Sequence, residues 1–293
     1  MNTRPGSGME GMMRNLYVAV MVSSLILLAS CGGTGEGAAR GGEAGSVEGA
    51  VSVVGSTTVQ PVAERLAEAY EALHPGVTIT VQGGGSSVGV TSAGQGSADI
   101  GAVSRGISQG ELELYPSLVI YTIARDGIAI VADADIPVGD LSLEQVRGIF
   151  SGSIANWDEV GGPDSPIVVI SREEGSGTRG AFEELVLGEG VLMTGTAILQ
   201  PSNGAILNTV SSTPGSIGYL SFGYVGSSVR TIAIGGAAPT PENAANGTYP
   251  VVRPLNLVTK GEATGAVQSW IDFILGPDGQ AVVVEEGYLP AAL

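Results

Sequence analysis

Cationic and thiol groups are scarce in this chain of 293 residues: it has one cysteine, one histidine and one lysine, Lys260. A lone cysteine excludes an intramolecular disulfide and any thiolate cluster for zinc or iron–sulfur. A lone histidine, His74, excludes a multi-histidine metal site. With a net charge of −17 and no lysine patch, counterion release from nucleic acid has almost nothing to work with, so no nucleic-acid partner is expected. Long apolar stretches are equally rare. The one that stands out, "LYVAVMVSSLILLAS" after Arg14, is too short and too closely followed by glycine to make a comfortable membrane span.

Glycine, by contrast, is abundant at 47 residues, without a collagen period. It clusters in an N-terminal segment and in short turns between apolar runs, as many tight loops require. The apolar run ends in Leu28-Ala29-Ser30-Cys31, which resembles the lipobox of bacterial lipoproteins and places the sole cysteine where acylation needs it. A lipid at Cys31 anchors a soluble domain without a spanning helix. "GGTGEGAARGGEAGSVEG" has no apolar periodicity and reads as a flexible tether.

From Gly49 onward, strand and helix patterns alternate. "GAVSVVGS", "GVTITVQGGG", "ADIGAVS", "VIYTIARDGIAIVAD", "PIVVIS", "GSIGYLSFGYV" and "YPVVRPLNLVT" read as strand regions. Val62, Leu66, Ala69, Tyr70 and Leu73 line one face of a helix that Thr57 or Thr58 can cap, with Pro61 in its first turn. "LSLEQVRGIF" opens with a Ser142…Gln145 capping box, "TRGAFEELVLG" is a helix stopped by Gly188, and Val267, Trp270, Ile271 and Ile274 share another helical face. The fold class is α/β with open sheets.

Three turns repeat one theme, strand to Gly/Ser/Thr to helix start: Gly55-Ser56-Thr57-Thr58, Gly83-Gly84-Gly85-Ser86-Ser87 and Gly175-Ser176-Gly177-Thr178. Glycines let N–H groups converge, hydroxyls add donors, and helix N-termini add partial positive charge. With Arg172 in the same stretch as the third turn, the common target is a small oxyanion. Gly85-Ser86-Ser87-Val88-Gly89 also fits a hydrolase nucleophile elbow, but His74 precedes the serine where that fold needs a histidine after it. No Gly is followed by Lys-Ser or Lys-Thr, which excludes a P-loop.

"GSTTVQP", "GGGSSVG", "ADIGAVSR", "IFSGSIANWDEVGG", "SREEGSGTRGAFEE", "PGSIGYLSF" and the closing "GYLP" resemble, in order, the motifs of the PstS-like phosphate-binding proteins, receptors of the phosphate ABC transporter. The resemblance implies a two-lobed periplasmic-binding-protein fold of type II, its lobes joined by crossover strands around a ligand cleft. It divides the chain into a signal peptide over 1–30, a tether over 31–48, lobe I over 49–122, lobe II over 123–252, and a return to lobe I over 253–293. It implies a monomeric, cofactor-free receptor on the extracytoplasmic side that binds inorganic phosphate, hands it to a membrane permease and performs no chemistry. A receptor for sulfate or molybdate, or a phosphate sensor without transport, would share the same physics.

Carried over by motif, Ser56, Thr57, Thr58 and Ser86 supply hydroxyl and amide donors, Arg172 the charged contact, and Ser176, Gly177 and Thr178 the opposite wall. Glu174 matches an acid that orients the arginine, or is an ordinary solvated glutamate. Many family members have an aspartate, which accepts the proton of phosphate, where this chain has Ser104; a serine can accept or donate. Arg105 beside it is a second charged contact or a surface residue. The acidic balance does not forbid an anion, since exposed charges beyond about 8 Å are screened and donors in contact are not.

Overall fold

The computed structural model describes residues 47–291, so the signal segment, Cys31 and the tether up to residue 46 lie outside the described residues. β1 (Gly49–Gly55) leads to α1 (Gln60–Leu73), which buries Val62, Ala63, Leu66, Ala67 and Tyr70 and has Pro61 in its first turn. The expected cap from Thr57 or Thr58 does not form. Val59 is the N-cap, and Ser56 Oγ accepts the main-chain N–H groups of Thr58 and Val59 at 3.1 and 3.4 Å. A serine one residue earlier closes the turn, which leaves the threonine hydroxyls to other partners.

β2 (Val77–Gly83), α2 (Ser86–Gln95), β3 (Ile100–Val103) and α3 (Gln109–Leu114) complete the first run. The long β4 (Leu118–Asp133) leads into β5 (Asp140–Leu141), α4 (Leu143–Ser151), β6 (Val168–Arg172) and α5 (Gly177–Phe182). Then come β7 (Ile198–Gln200), α6 (Asn203–Ser212), β8 (Ser216–Ser221), β9 (Val229–Ile234) and α7 (Pro241–Ala245). β10 (Val252–Lys260) returns to α8 (Gly265–Leu275), α9 (Pro277–Glu285) and β11 (Leu289–Pro290). The capping box at α4 is present: Ser142 Oγ accepts from Gln145 N at 3.1 Å and Gln145 Oε1 from Ser142 N at 2.8 Å. α5 widens into a π-type turn over Glu183–Leu187 and stops at Gly188, with φ +75°.

The strands run in the order β2-β1-β3-β10-β4-β8-β6-β7. β1 is parallel to β2 and β3, and β6 is parallel to β7 and β8, while β10 and β4 run antiparallel between the two groups. β4 is shared: Leu118–Gly127 pairs with β10, and Ile128–Asp133 with β8 or β9. Two sets of cores follow from this. Val53, Leu66, Ile100, Ile123, Ala124, Leu257, Trp270 and Ile274 form the first. In the second, Ile128 and Ile130 pack with Phe150, Trp157 and Phe182 on one face of the sheet, while Ala129 and Val131 pack with Ile170, Ile206 and Val210 on the other. Both faces of β4 are buried there, which is why its sequence is an unbroken apolar run.

The changeover falls at Gly127/Ile128, later than the expected boundary at 122/123, because Ile123 and Ala124 pack into the first core. Gly127 marks the spot: a Cβ there would overlap the ring of Phe222. Gly127→Val is therefore expected to lower stability by about 1–3 kcal/mol through overpacking, read as a fall in the denaturant midpoint at constant m; an unchanged midpoint would show that the ring has room to move.

Candidate functional site

The C-terminal ends of the parallel strands point the three Gly/Ser/Thr turns at one another, in the crevice where open α/β sheets hold ligands. After β1, Ser56 Oγ donates to Ser104 Oγ at 2.9 Å, at the end of β3. After β2, Gly84 and Gly85 adopt φ of +153° and +93° and start α2 at Ser86, whose Oγ accepts from Ser104 N at 3.0 Å. After β6, the turn from Glu173 to Ser176 starts α5 and closes over these hydroxyls. Ser87 N donates to Gly175 O at 3.1 Å, and the Thr58 and Thr178 hydroxyls lie 3.1 Å apart. A Cβ on Gly177 would overlap Ser86 Oγ and Ser104 Oγ, so only glycine lets the walls meet this closely. Gly177 and Thr178 are the first residues of α5, whose initial N–H groups have no intrahelical acceptor.

Two guanidiniums enter from below. Arg172, at the end of β6 and 2% exposed, donates through Nε to Gln200 O at 3.1 Å and through Nη2 to Pro201 O at 2.8 Å and Thr57 Oγ1 at 3.4 Å. None of its partners is a carboxylate, and loss of water pushes its pKa down to about 10. Arg253, on β10, is fully neutralised: Nη2 and Nε reach Asp126 Oδ2 at 2.7 and 3.1 Å. It also donates to Ser104 O, to Ser104 Oγ and to Thr58 Oγ1, at 3.2, 3.4 and 3.2 Å. Asp126 Oδ1 accepts from Ser221 Oγ at 3.0 Å. Burial pushes the Asp126 carboxyl up, against the pull of Arg253. Among the described residues, then, the buried site holds two positive groups and one negative group.

The structure gathers Ser56, Thr57, Thr58, Ser86, Ser104, Arg172, Gly177 and Thr178. Ser176 is buried beside them, but its Oγ accepts from Arg179 N at 3.2 Å and caps α5. Two expected contacts are not brought in. Arg105 is turned outward into an ion pair with Glu111 at 2.7 Å and a hydrogen bond to Ser87 Oγ at 3.2 Å. Burial disfavours the Glu111 carboxylate, but hydrogen bonds from Arg105 and Ser108 hold it below its usual range. Arg105 lines an outer cavity of about 290 Å³ with Ser87, Glu174, Arg179 and Glu183. Glu174 is exposed there and makes no hydrogen bond to Arg172. The carbonyls of Gln200 and Pro201 orient that arginine without the desolvation cost of a second buried acid. Asp99 lies apart from the site, accepting from Ser52 N and Oγ at 2.8 and 2.7 Å.

Sequence reasoning missed Arg253, Asp126 and Asn203, which is fully buried and donates from Nδ2 to Thr58 Oγ1 at 2.8 Å. A signal existed for the first two. Both are charges inside largely apolar strands, Arg253 alone and Asp126 beside Arg125, and charges are almost never fully buried unless paired. Asn203 gave none, since it reads as an ordinary loop residue.

Two cores with a closed polar site between them define the class, a two-lobed α/β binding protein, and residues 35–278 match the PBP superfamily domain. Phosphate-binding protein PstS of Bacillus subtilis (strain 168) is 33% identical, over 94% of this chain and 93% of its own. The PstS of Borreliella burgdorferi is 30% identical, over 82% and 89%. A solved structure from Clostridium perfringens, a phosphate ABC transporter substrate-binding protein with bound phosphate, superposes with a TM-score of 0.80 at 42% identity, over 83% of this chain and 99% of its own. The chain belongs to the PstS family of phosphate-binding proteins within the PBP superfamily.

Removing one member of the buried pair leaves a stranded charge. Asp126→Leu alone is expected to cost about 3–5 kcal/mol, and Asp126→Leu with Arg253→Met much less. Urea unfolding of the single and double variants measures the difference; equal losses would show that the two side chains act independently.

Proposed function

We propose that the chain binds inorganic phosphate outside the cytoplasm and delivers it, chemically unchanged, to an ABC-type import permease. The observation that carries the reading is Arg172: a buried guanidinium with no carboxylate among its hydrogen-bond partners, beside a cluster of buried hydroxyls from three separate turns. A tetrahedral anion supplies the missing charge and acceptors for all of them at once. Ser56, Thr57, Thr58, Ser86 and Ser104 form one wall of this receptor site, and Arg172, Gly177 and Thr178 the other. Ser176 shapes the second wall by capping α5.

Entry needs movement. Ser56, Thr58, Ser86, Ser104 and Thr178 are each at most 3% exposed, so an anion reaches them only when the walls part. In this reading the lobes are the two core regions, residues 49–127 with 252–288 against 128–251. β4 and β10 are the bending elements, and the register irregularity between Leu255 and Asn256 in β10 gives that strand a point of compliance. Anion binding then favours the closed population, because only closure brings Gly177 and Thr178 into reach. A monomer tethered by lipid at Cys31 belongs to the same proposal, supported by the lipobox-like Leu28-Ala29-Ser30-Cys31. Among the described residues, no helix is long and apolar enough to cross a membrane.

Arg172→Met is the test. It removes a desolvated charge, so the unliganded protein should melt within a few degrees of the original. Calorimetric phosphate affinity should fall at least tenfold, about 1.4 kcal/mol or more. Unchanged affinity would remove Arg172 from the site and the reading with it. Arg105→Gln and Glu174→Gln should each change the dissociation constant by less than about twofold, since exposed or already paired charges contribute little. A tenfold loss in either would place that residue on the ligand.

A further inference from the structure

The hydroxyls of this site are not free to choose their direction. Thr58 Oγ1 accepts hydrogens from Asn203 Nδ2 at 2.8 Å and Arg253 Nη2 at 3.2 Å. A hydroxyl oxygen offers two lone pairs and one hydrogen, so both acceptor positions are filled and the Thr58 hydrogen must point away, towards Thr178. The Asn203 amide is oriented by its other end, where Oδ1 accepts from Ser221 N at 3.3 Å. Ser104 is treated alike: its Oγ accepts from Ser56 Oγ at 2.9 Å and Arg253 Nη1 at 3.4 Å. Ser56 has no alternative direction, because its oxygen already accepts the N–H groups of Thr58 and Val59.

Strong acceptors are also closed off. Asp126 is the one buried carboxylate among the described residues, and both its oxygens are taken, by Arg253 and Ser221. Ser86 accepts from Ser104 N and keeps its own hydrogen free to turn towards a guest. The wiring therefore presents hydrogens, with only neutral hydroxyl oxygens left to receive one.

We infer that Asn203 and Arg253 are positioning residues that make Thr58 and Ser104 donors only, so that the site selects tetrahedral dianions by their ionised oxygens and does not reject sulfate for lacking a proton. This deepens the phosphate-receptor reading and rests on it. Monohydrogen phosphate has one proton to place against a Ser86 or Thr178 hydroxyl. Dihydrogen phosphate has a second, which meets only hydrogens.

The experiment is competitive calorimetry on the full chain, with inorganic phosphate and sulfate at about pH 6 and about pH 8, the range over which phosphate groups lose their second proton. The titratable groups that act on one another at the site are Arg172, Arg253, Asp126, Glu173, Tyr219, Tyr224 and Tyr288. Sulfate carries no proton in this range, so it reports any titration of the protein itself. Sulfate should displace phosphate with a dissociation constant within about a hundredfold of phosphate's at the higher pH, and the phosphate-to-sulfate affinity ratio should rise by about tenfold across the range. Asn203→Ala frees a lone pair on Thr58 without adding charge, and Asn203→Asp takes the Thr58 hydrogen and turns its oxygen outward. Both should weaken sulfate more than phosphate, by about tenfold in the ratio for the aspartate.

Phosphate binding with no sulfate displacement at a thousandfold excess, or a ratio flat with pH, overturns this inference alone. Equal weakening of both anions in the Asn203 variants makes that residue merely structural and overturns its assigned role. No binding of either anion to the unaltered chain overturns the proposed function, and this inference with it.

Discussion

A guanidinium taken out of water needs compensation, and Arg172 has only carbonyl oxygens and a threonine hydroxyl to provide it. Loss of water, with some repulsion from Arg253, pushes its pKa down to about 10. A fold selected for stability alone would place a carboxylate there or an apolar side chain, either of which is cheaper. The neighbouring Arg253 shows the ordinary solution, an ion pair in which Nε and Nη2 both donate to Asp126 Oδ2. The contrast between two arginines in one buried site, one paired and one not, separates structure from function. The paired one holds strands and hydroxyls in place. The one without a carboxylate partner is, in the proposed reading, the charge that a guest answers.

The rest of the architecture serves that placement. Parallel strands deliver turns to one edge, and their glycines let the turns approach without side chains. The hydroxyls then meet across walls that belong to different cores. β4 makes this possible because one strand carries the pairing of both halves, with Gly127 where the sheet partners change. The bonds between the two halves are few and mostly neutral: Ser87 N to Gly175 O, the Tyr224 hydroxyl to Thr57 O, Asn203 Nδ2 to Thr58 Oγ1, Arg172 Nη2 to Thr57 Oγ1, and the Thr58–Thr178 hydroxyl contact. Contacts of that size, at about 1 kcal/mol each, hold a lid that an anion can tip without making opening impossible.

Much of this was legible in the sequence because it depends on local signals. Alternating apolar runs announced the strands, Ser142 and Gln145 announced a helix start, and the Gly/Ser/Thr turns announced donors. What stayed hidden depends on distance in the chain. Ser56, not Thr57 or Thr58, closes its turn, because the competition among three adjacent hydroxyls is decided by the path of the backbone. Glu174 sits two residues from Arg172 yet faces solvent, whereas Asn203 and Arg253 lie far along the chain and touch Thr58. Sequence proximity to a motif made Arg105 look like a ligand contact, but Glu111, six residues on, claims it first.

The net charge of −17 raises the question of how such a protein holds an anion at all. The acids lie almost entirely on the surface, where water and salt reduce their reach to about a Debye length. Among the described residues, the one buried acid is matched by its own arginine. In the proposed reading the ligand meets one positive charge without a carboxylate partner, and hydroxyls whose hydrogens are directed by Asn203 and Arg253. In a water-poor enclosure each oriented donor counts for more than a charge on the far surface. Local order, not total charge, decides the sign of what this cleft attracts.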